Sequence, residues 1–122
     1  MKTNLLILFL TGVLLQTAAS SSVFAHAMPD HAEPRVGSTV TSAPGDVTIH
    51  FTQEIEPAFS AIQVFDPSGK QIDKKDSHID PQSRATLVVS VPNLPSGTYK
   101  VVWHVVSVDT HKTQGDFKFT VK

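Results

Sequence analysis

The feature that most constrains this chain is alternation. From residue 47 onward, nearly every apolar stretch repeats with period two rather than the 3.6 of a helix. Val47-Thr48-Ile49-His50-Phe51-Thr52 sets Val47, Ile49 and Phe51 on one face and Thr48, His50 and Thr52 on the other. Residues 61–65, residues 85–91 and the closing Phe117, Phe119 and Val121 follow the same rule. So does the longest run, residues 98–108, with Tyr99, Val101, Trp103 and Val105 on one side. Turn-forming residues separate the runs: Ala43-Pro44-Gly45-Asp46, Asp66-Pro67-Ser68-Gly69, residues 92–97 and the polar stretch 109–115. Residues 54–60 have room for one short helical turn, which Pro57 is expected to interrupt. Short alternating strands punctuated by turns predict an all-β, immunoglobulin-like or Greek-key antiparallel sandwich.

The first 25 residues do not belong to this pattern. Lys2 supplies a basic start, residues 5–15 are largely apolar, and small polar residues lead to Val23-Phe24-Ala25. This is the plan of a secretory signal peptide cut after Ala25. The expected organisation is a cleaved segment, residues 1–25, and one β-sandwich domain, residues 26–122. A cut after Ala27 satisfies the same small-residue rule through Ala25-His26-Ala27.

The remaining 97 residues suffice for one core without covalent staples. No cysteine is present, which excludes disulfides, thiolate metal sites and a lipid-modified cysteine anchor. Without Lys2 the domain carries nine basic and eleven acidic residues, a net charge of −2. That balance offers neither a nucleic-acid surface nor a polybasic membrane anchor. No second long apolar run follows the leader, so the mature chain is not expected to insert in a membrane.

A cut after Ala25 leaves His26 as the first residue. Its free α-amine and its imidazole can then bind one ion together, closing a chelate ring. Near the end of the chain stands Asp109-Thr110-His111. In extended backbone, residues two apart share a side, so Asp109 and His111 can converge. Three nitrogens and a carboxylate oxygen suit Cu(II), the top of the divalent affinity order; zinc could use the same donors in tetrahedral geometry. The bland alternative makes Asp109 a turn cap and leaves His111 in water. Among the other histidines, His50 and His104 lie on strands opposite the apolar faces and His78 in a charged loop, all expected at the surface. His31 follows His26 closely enough to act as an extra ligand or a competing site, from a segment expected to be mobile.

Several stretches together make the chain resemble the CopC family of extracytoplasmic copper-binding proteins. They are His26-Ala27 followed by Pro34 and Gly37; residues 54–60; Pro95-Ser96-Gly97-Thr98-Tyr99; residues 103–111; and Gly115-Asp116-Phe117. The resemblance covers essentially the whole expected mature chain. It implies a cupredoxin-like or immunoglobulin-like sandwich with a Cu(II) site formed by the amine and imidazole of His26, Asp109 and His111. It points more weakly to Glu54. It also implies a periplasmic location and a CopD-type inner-membrane copper transport protein as partner. The expected mature chain has Met28 as its one methionine, so no methionine-based Cu(I) site is expected. Lys112 stands where the family usually has proline.

The leading expectation is therefore a monomeric, non-catalytic copper carrier or buffer. A copper redox enzyme built on a terminal histidine is the less favoured reading: one Trp and one Tyr leave little for a substrate face, and Asp109 would fill a metal position. A metal-free immunoglobulin-like interaction module is the third.

Overall fold

The computed structural model describes residues 26–122; the expected signal segment, residues 1–25, lies outside the described residues. Eight strands stand among the described residues: β1 (Pro29–Glu33), β2 (Thr39–Val40), β3 (Asp46–Phe51), β4 (Ala61–Phe65), β5 (His78–Asp80), β6 (Ser83–Ser90), β7 (Gly97–Val106) and β8 (Lys112–Val121). They form two four-stranded sheets, ordered β1-β3-β6-β5 and β2-β8-β7-β4. The consecutive strands β3 and β4 lie in opposite sheets, as do β6 and β7, while β3 pairs with β6 and β4 with β7. This interlocking is what makes the fold a Greek-key sandwich rather than two stacked hairpins.

The alternating residues meet between the sheets. Val47, Ile49, Leu87 and Val89 come from one sheet, and Ile62, Val64, Val101, Val105 and Phe119 from the other, each at most 1% exposed. Trp103 packs edge-on against Phe51 across the two layers, ring centroids 5.5 Å apart. It also lies over Gly115, its cross-strand partner, where a Cβ would come within 2.6 Å of the indole. Only glycine fits beneath that ring. Tyr99 stacks on Phe119 and donates its hydroxyl to the Pro95 carbonyl at 2.6 Å, so its one polar atom is satisfied at the core edge.

Some expectations need correction. The stretch expected as a turn, residues 109–115, is largely strand: β8 begins at Lys112, and alternation continues there with polar residues facing out. His78 lies in a strand, not a loop. Pro57 opens the 3-10 turn Pro57–Phe59 rather than breaking it, because a first-turn residue has no helical acceptor to lose. β2 runs parallel to β8, while the other strand pairs among the described residues are antiparallel.

Candidate metal centre

His26-Ala27-Met28 runs into β1 and is held by both sheets. From one side, the Thr52 backbone N–H donates to the Met28 carbonyl at 2.9 Å. The Thr52 hydroxyl accepts the Met28 N–H at 3.1 Å and donates to the His26 carbonyl at 3.3 Å. From the other side, the Thr113 hydroxyl of β8 donates to the Ala27 carbonyl at 2.7 Å. Ala27 is fully buried. Two threonines thus fix the backbone from His26 to Met28, while the His26 residue stays exposed.

The second component is the loop joining β7 to β8. The Ser107 N–H donates to the His111 carbonyl at 2.9 Å and the Thr110 N–H to the Ser107 carbonyl at 2.8 Å. Thr110 takes the left-handed conformation, φ 73°. This is a type I turn followed by a left-handed residue, a standard short hairpin connection. The loop is anchored outside the hairpin as well. Ile55 bridges to Ser107, the Glu56 N–H donates to the Val106 carbonyl, and the Val108 N–H donates to the Glu54 carbonyl.

Within the loop, the fully buried Ser107 donates its hydroxyl to Asp109 Oδ1, and the same carboxylate oxygen lies 3.2 Å from His111 Nδ1. The Ser107 hydroxyl holds the Asp109 carboxyl below the ordinary carboxylate value; partial desolvation opposes this, and the His111 contacts add to it. Asp109 is therefore ionised at neutral pH, with its negative charge beside His111.

The two components meet. The imidazoles of His26 and His111 lie with centroids 4.7 Å apart at an interplanar angle of 71°. Residues 85 positions apart in sequence thus share one rim of the sandwich, with Asp109 beside the second ring. Among the described residues no three His, Cys, Asp or Glu side chains gather closely enough to enclose an ion by themselves. The side-chain set is an imidazole pair with one flanking carboxylate, and a further donor has to come from backbone or solvent.

Glu54 and His31 lie elsewhere. The Glu54 carboxylate faces Arg84, 3.7 Å away, and it is the Glu54 carbonyl that touches the loop. His31 belongs to β1, paired with β3, instead of a mobile segment; its ring stacks on His50. Sequence reasoning missed Thr52, Ala27, Thr113 and Ser107. Only Ser107, two residues before Asp109, carried a local signal, as a hydroxyl next to a turn carboxylate.

Comparison with known proteins agrees with this fold. Residues 30–122 match the family model described as CopC domain. Protein YobA of Escherichia coli is 37% identical over 111 residues, covering 90% of each chain. The copper transport protein CutJ of Bacillus subtilis is 31% identical over 80% of this chain, which corresponds to 18% of CutJ. The crystal structure of PcoC, a methionine-rich copper resistance protein from Escherichia coli, superposes with a TM-score of 0.70 at 28% identity, covering 80% of this chain and all of PcoC. By sequence and by fold, this chain belongs to the CopC family.

Proposed function

We propose that this protein is an exported, non-catalytic carrier of Cu(II), holding the ion through the α-amine and imidazole of His26, the imidazole of His111 and the carboxylate of Asp109. The observation that carries this reading is the approach of the His26 and His111 rings to 4.7 Å beside an ionised carboxylate. Two imidazoles, an amine and a carboxylate match the preference of Cu(II) for nitrogen and oxygen in a tetragonal arrangement. The anionic carboxylate also offsets part of the charge of the cargo.

The reading requires signal cleavage after Ala25. The burial of Ala27 and the hydrogen bond to its carbonyl support that position, because a cut after Ala27 would remove an integral part of the packed domain. It also implies an extracytoplasmic location. Delivery to a membrane copper transporter is supported by the match to a segment of CutJ: a domain of this kind there forms part of a larger copper transport protein. Glu54 and His31 stand outside the proposed ligand set, their side chains being engaged with Arg84 and His50.

The test is a Cu(II) titration followed by EPR. It compares protein beginning at His26 with the same protein carrying one additional N-terminal residue. Stoichiometric type-2 copper with nitrogen couplings is expected in the first, with sharply weaker binding in the second. Equal binding by both would move the site to internal side chains. No tight binding by either would leave a metal-free interaction module as the better account.

A further inference from the structure

A second pair of histidines lies apart from the rim, on the outer face of the sheet β1-β3-β6-β5. His31 of β1 stands directly opposite His50 of β3, and their rings are stacked, centroids 3.9 Å apart at 16°. The pairing depends on an irregularity. Pro29 pairs with Phe51 and His31 with His50, so Asp30 is an extra residue in β1. Without that bulge, His31 would face Ile49 and point into the core. Bulges re-aim side chains in this way, and they are over-represented beside functional sites.

The hydrogen bonds behind each ring fix which nitrogen carries the proton. His31 Nδ1 lies 3.0 Å from Asp30 Oδ2, an oxygen that only accepts, so Nδ1 is the donor. His50 Nδ1 lies 2.9 Å from Thr86 Oγ1, whose own proton goes to Ser83 Oγ at 3.0 Å. The Thr86 oxygen therefore accepts from His50. In both neutral rings the lone pair is left on Nε2. A carboxylate or hydroxyl behind the imidazole is the usual support of a metal-ligating histidine, since it sets the tautomer and raises the basicity of the other nitrogen.

We propose that His31 and His50 form a second, shallow site for a divalent transition-metal ion, bound by the two Nε2 atoms with water completing its coordination. In the stack the Nε2 lone pairs lie in nearly parallel planes, so one ion is shared only when the two imidazoles splay about their side-chain torsions, which directly opposed positions on paired strands allow without movement of either strand. With two protein ligands rather than three or four, the site binds more weakly and exchanges faster than a full cage. Copper heads its order of preference and zinc is accepted. The site is distinct from the His26–His111 rim and does not depend on signal cleavage.

The probe is Zn(II), which is diamagnetic, added to the whole domain with uniformly 15N-labelled histidine while the ring Nε2 signals are followed. His31 and His50 are expected to shift together along one binding curve. His50→Gln should weaken the His31 response at least tenfold, and His31→Gln should do the same to His50. His78→Gln, at another exposed histidine, should change neither. Backbone amide spectra identify any variant that has lost its fold, and the reciprocal variant then carries the test. The proposal is overturned if the two rings respond at different zinc concentrations, if the His31 response survives His50→Gln within twofold, or if neither ring responds.

Discussion

Two loops of this protein are built on one plan and serve different ends. In residues 66–70 the first N–H donates to the fifth carbonyl at 2.8 Å and the fourth N–H to the first carbonyl at 2.9 Å. Residues 107–111 repeat both bonds, at 2.9 and 2.8 Å. In each, the fourth residue is left-handed: Gly69 at φ 86° and Thr110 at φ 73°. Each also contains an aspartate bonded to a serine two residues away, but in opposite order. Asp66 comes first, and its carboxylate turns inward on the backbone N–H groups of Ser68 and Lys70. In the other loop Ser107 comes first, and the carboxylate of Asp109, in third place, lies against the His111 ring. Capping a turn and flanking the ring proposed as a metal ligand are thus not alternatives at Asp109. The same Asp109 oxygen serves the loop and lies against the His111 ring, whereas the fifth residue of the first loop is Lys70 and offers no ring.

The largest expected effect separates the fifth positions. His111→Ala should lower Cu(II) affinity by on the order of a hundredfold or more, since even residues that only support a ligand typically cost 10–100-fold. Lys70→Ala, at the matching place, should leave affinity within about twofold. Competition titration against a chelator of known affinity reads both; equal losses would remove the functional distinction between the loops.

A smaller effect tests the serine. Ser107→Ala removes the donor that restrains Asp109 and contacts the His111 carbonyl. It should cost about 1 kcal/mol of stability, as a buried hydrogen bond typically does, and about tenfold in copper affinity. Ser68→Ala, in the other loop, should leave copper binding unchanged. If Ser107→Ala lowers stability in denaturant melts with copper affinity intact, Ser107 is structural alone.

Acidity acts on both loops in the same direction. Asp66 and Asp109, and also Asp76 with Ser90, are held below the ordinary carboxylate pKa by hydrogen bonds to the ionised form. A lowered native pKa contributes stability that is complete above the unfolded value and is lost as pH falls through the native one. The apo-protein should therefore show no acid destabilisation from these groups at neutral pH, and a decline only below about pH 3.8. Copper release should begin at higher pH, because protons compete for the nitrogen ligands first. Melting curves across pH, with and without copper, separate the two limbs; coincident limbs would argue against a nitrogen-rich site.

The unequal legibility of the two loops follows from their chemistry. Asp66-Pro67-Ser68-Gly69 announces itself, because proline sets the first turn angle and glycine admits the left-handed one. Ser107–His111 has neither, so residues 98–108 read as a single strand and its turn as part of a longer polar stretch. Five of the eight described strands, β3, β4, β6, β7 and β8, are readable because alternation is a local property, whereas β1, β2 and β5 are short and carry no such apolar run. The clamps on His26 are not readable either: the Thr113 contact joins residues 86 apart, and no local pattern carries such a bond. Nor is the bulge at Asp30, which decides whether His31 faces the core or the solvent. Asp109 and His111 stand out as a pair from their spacing and His26 from its place after the expected cut, whereas nothing local joins the two ends of the chain, and the terminal histidine together with the resemblance is what favours combining them.

The smallest effect sharpens the comparison at the fourth position. Thr110 holds a left-handed conformation that costs an L-residue roughly 1–2 kcal/mol, while its counterpart Gly69 incurs no such cost. Thr110→Gly removes that strain, and the added freedom of glycine in the unfolded chain offsets about 0.4–1 kcal/mol of the gain. The net expectation is stabilisation by roughly 0.5–1 kcal/mol, visible as a higher denaturation midpoint at unchanged slope. Copper affinity should stay within about twofold, because the Thr110 side chain is exposed and its backbone bond to Ser107 is kept. A stabilised variant that bound copper distinctly more weakly would mean that the strained residue helps hold His111 toward His26, so that the site depends on a conformation glycine is too free to maintain.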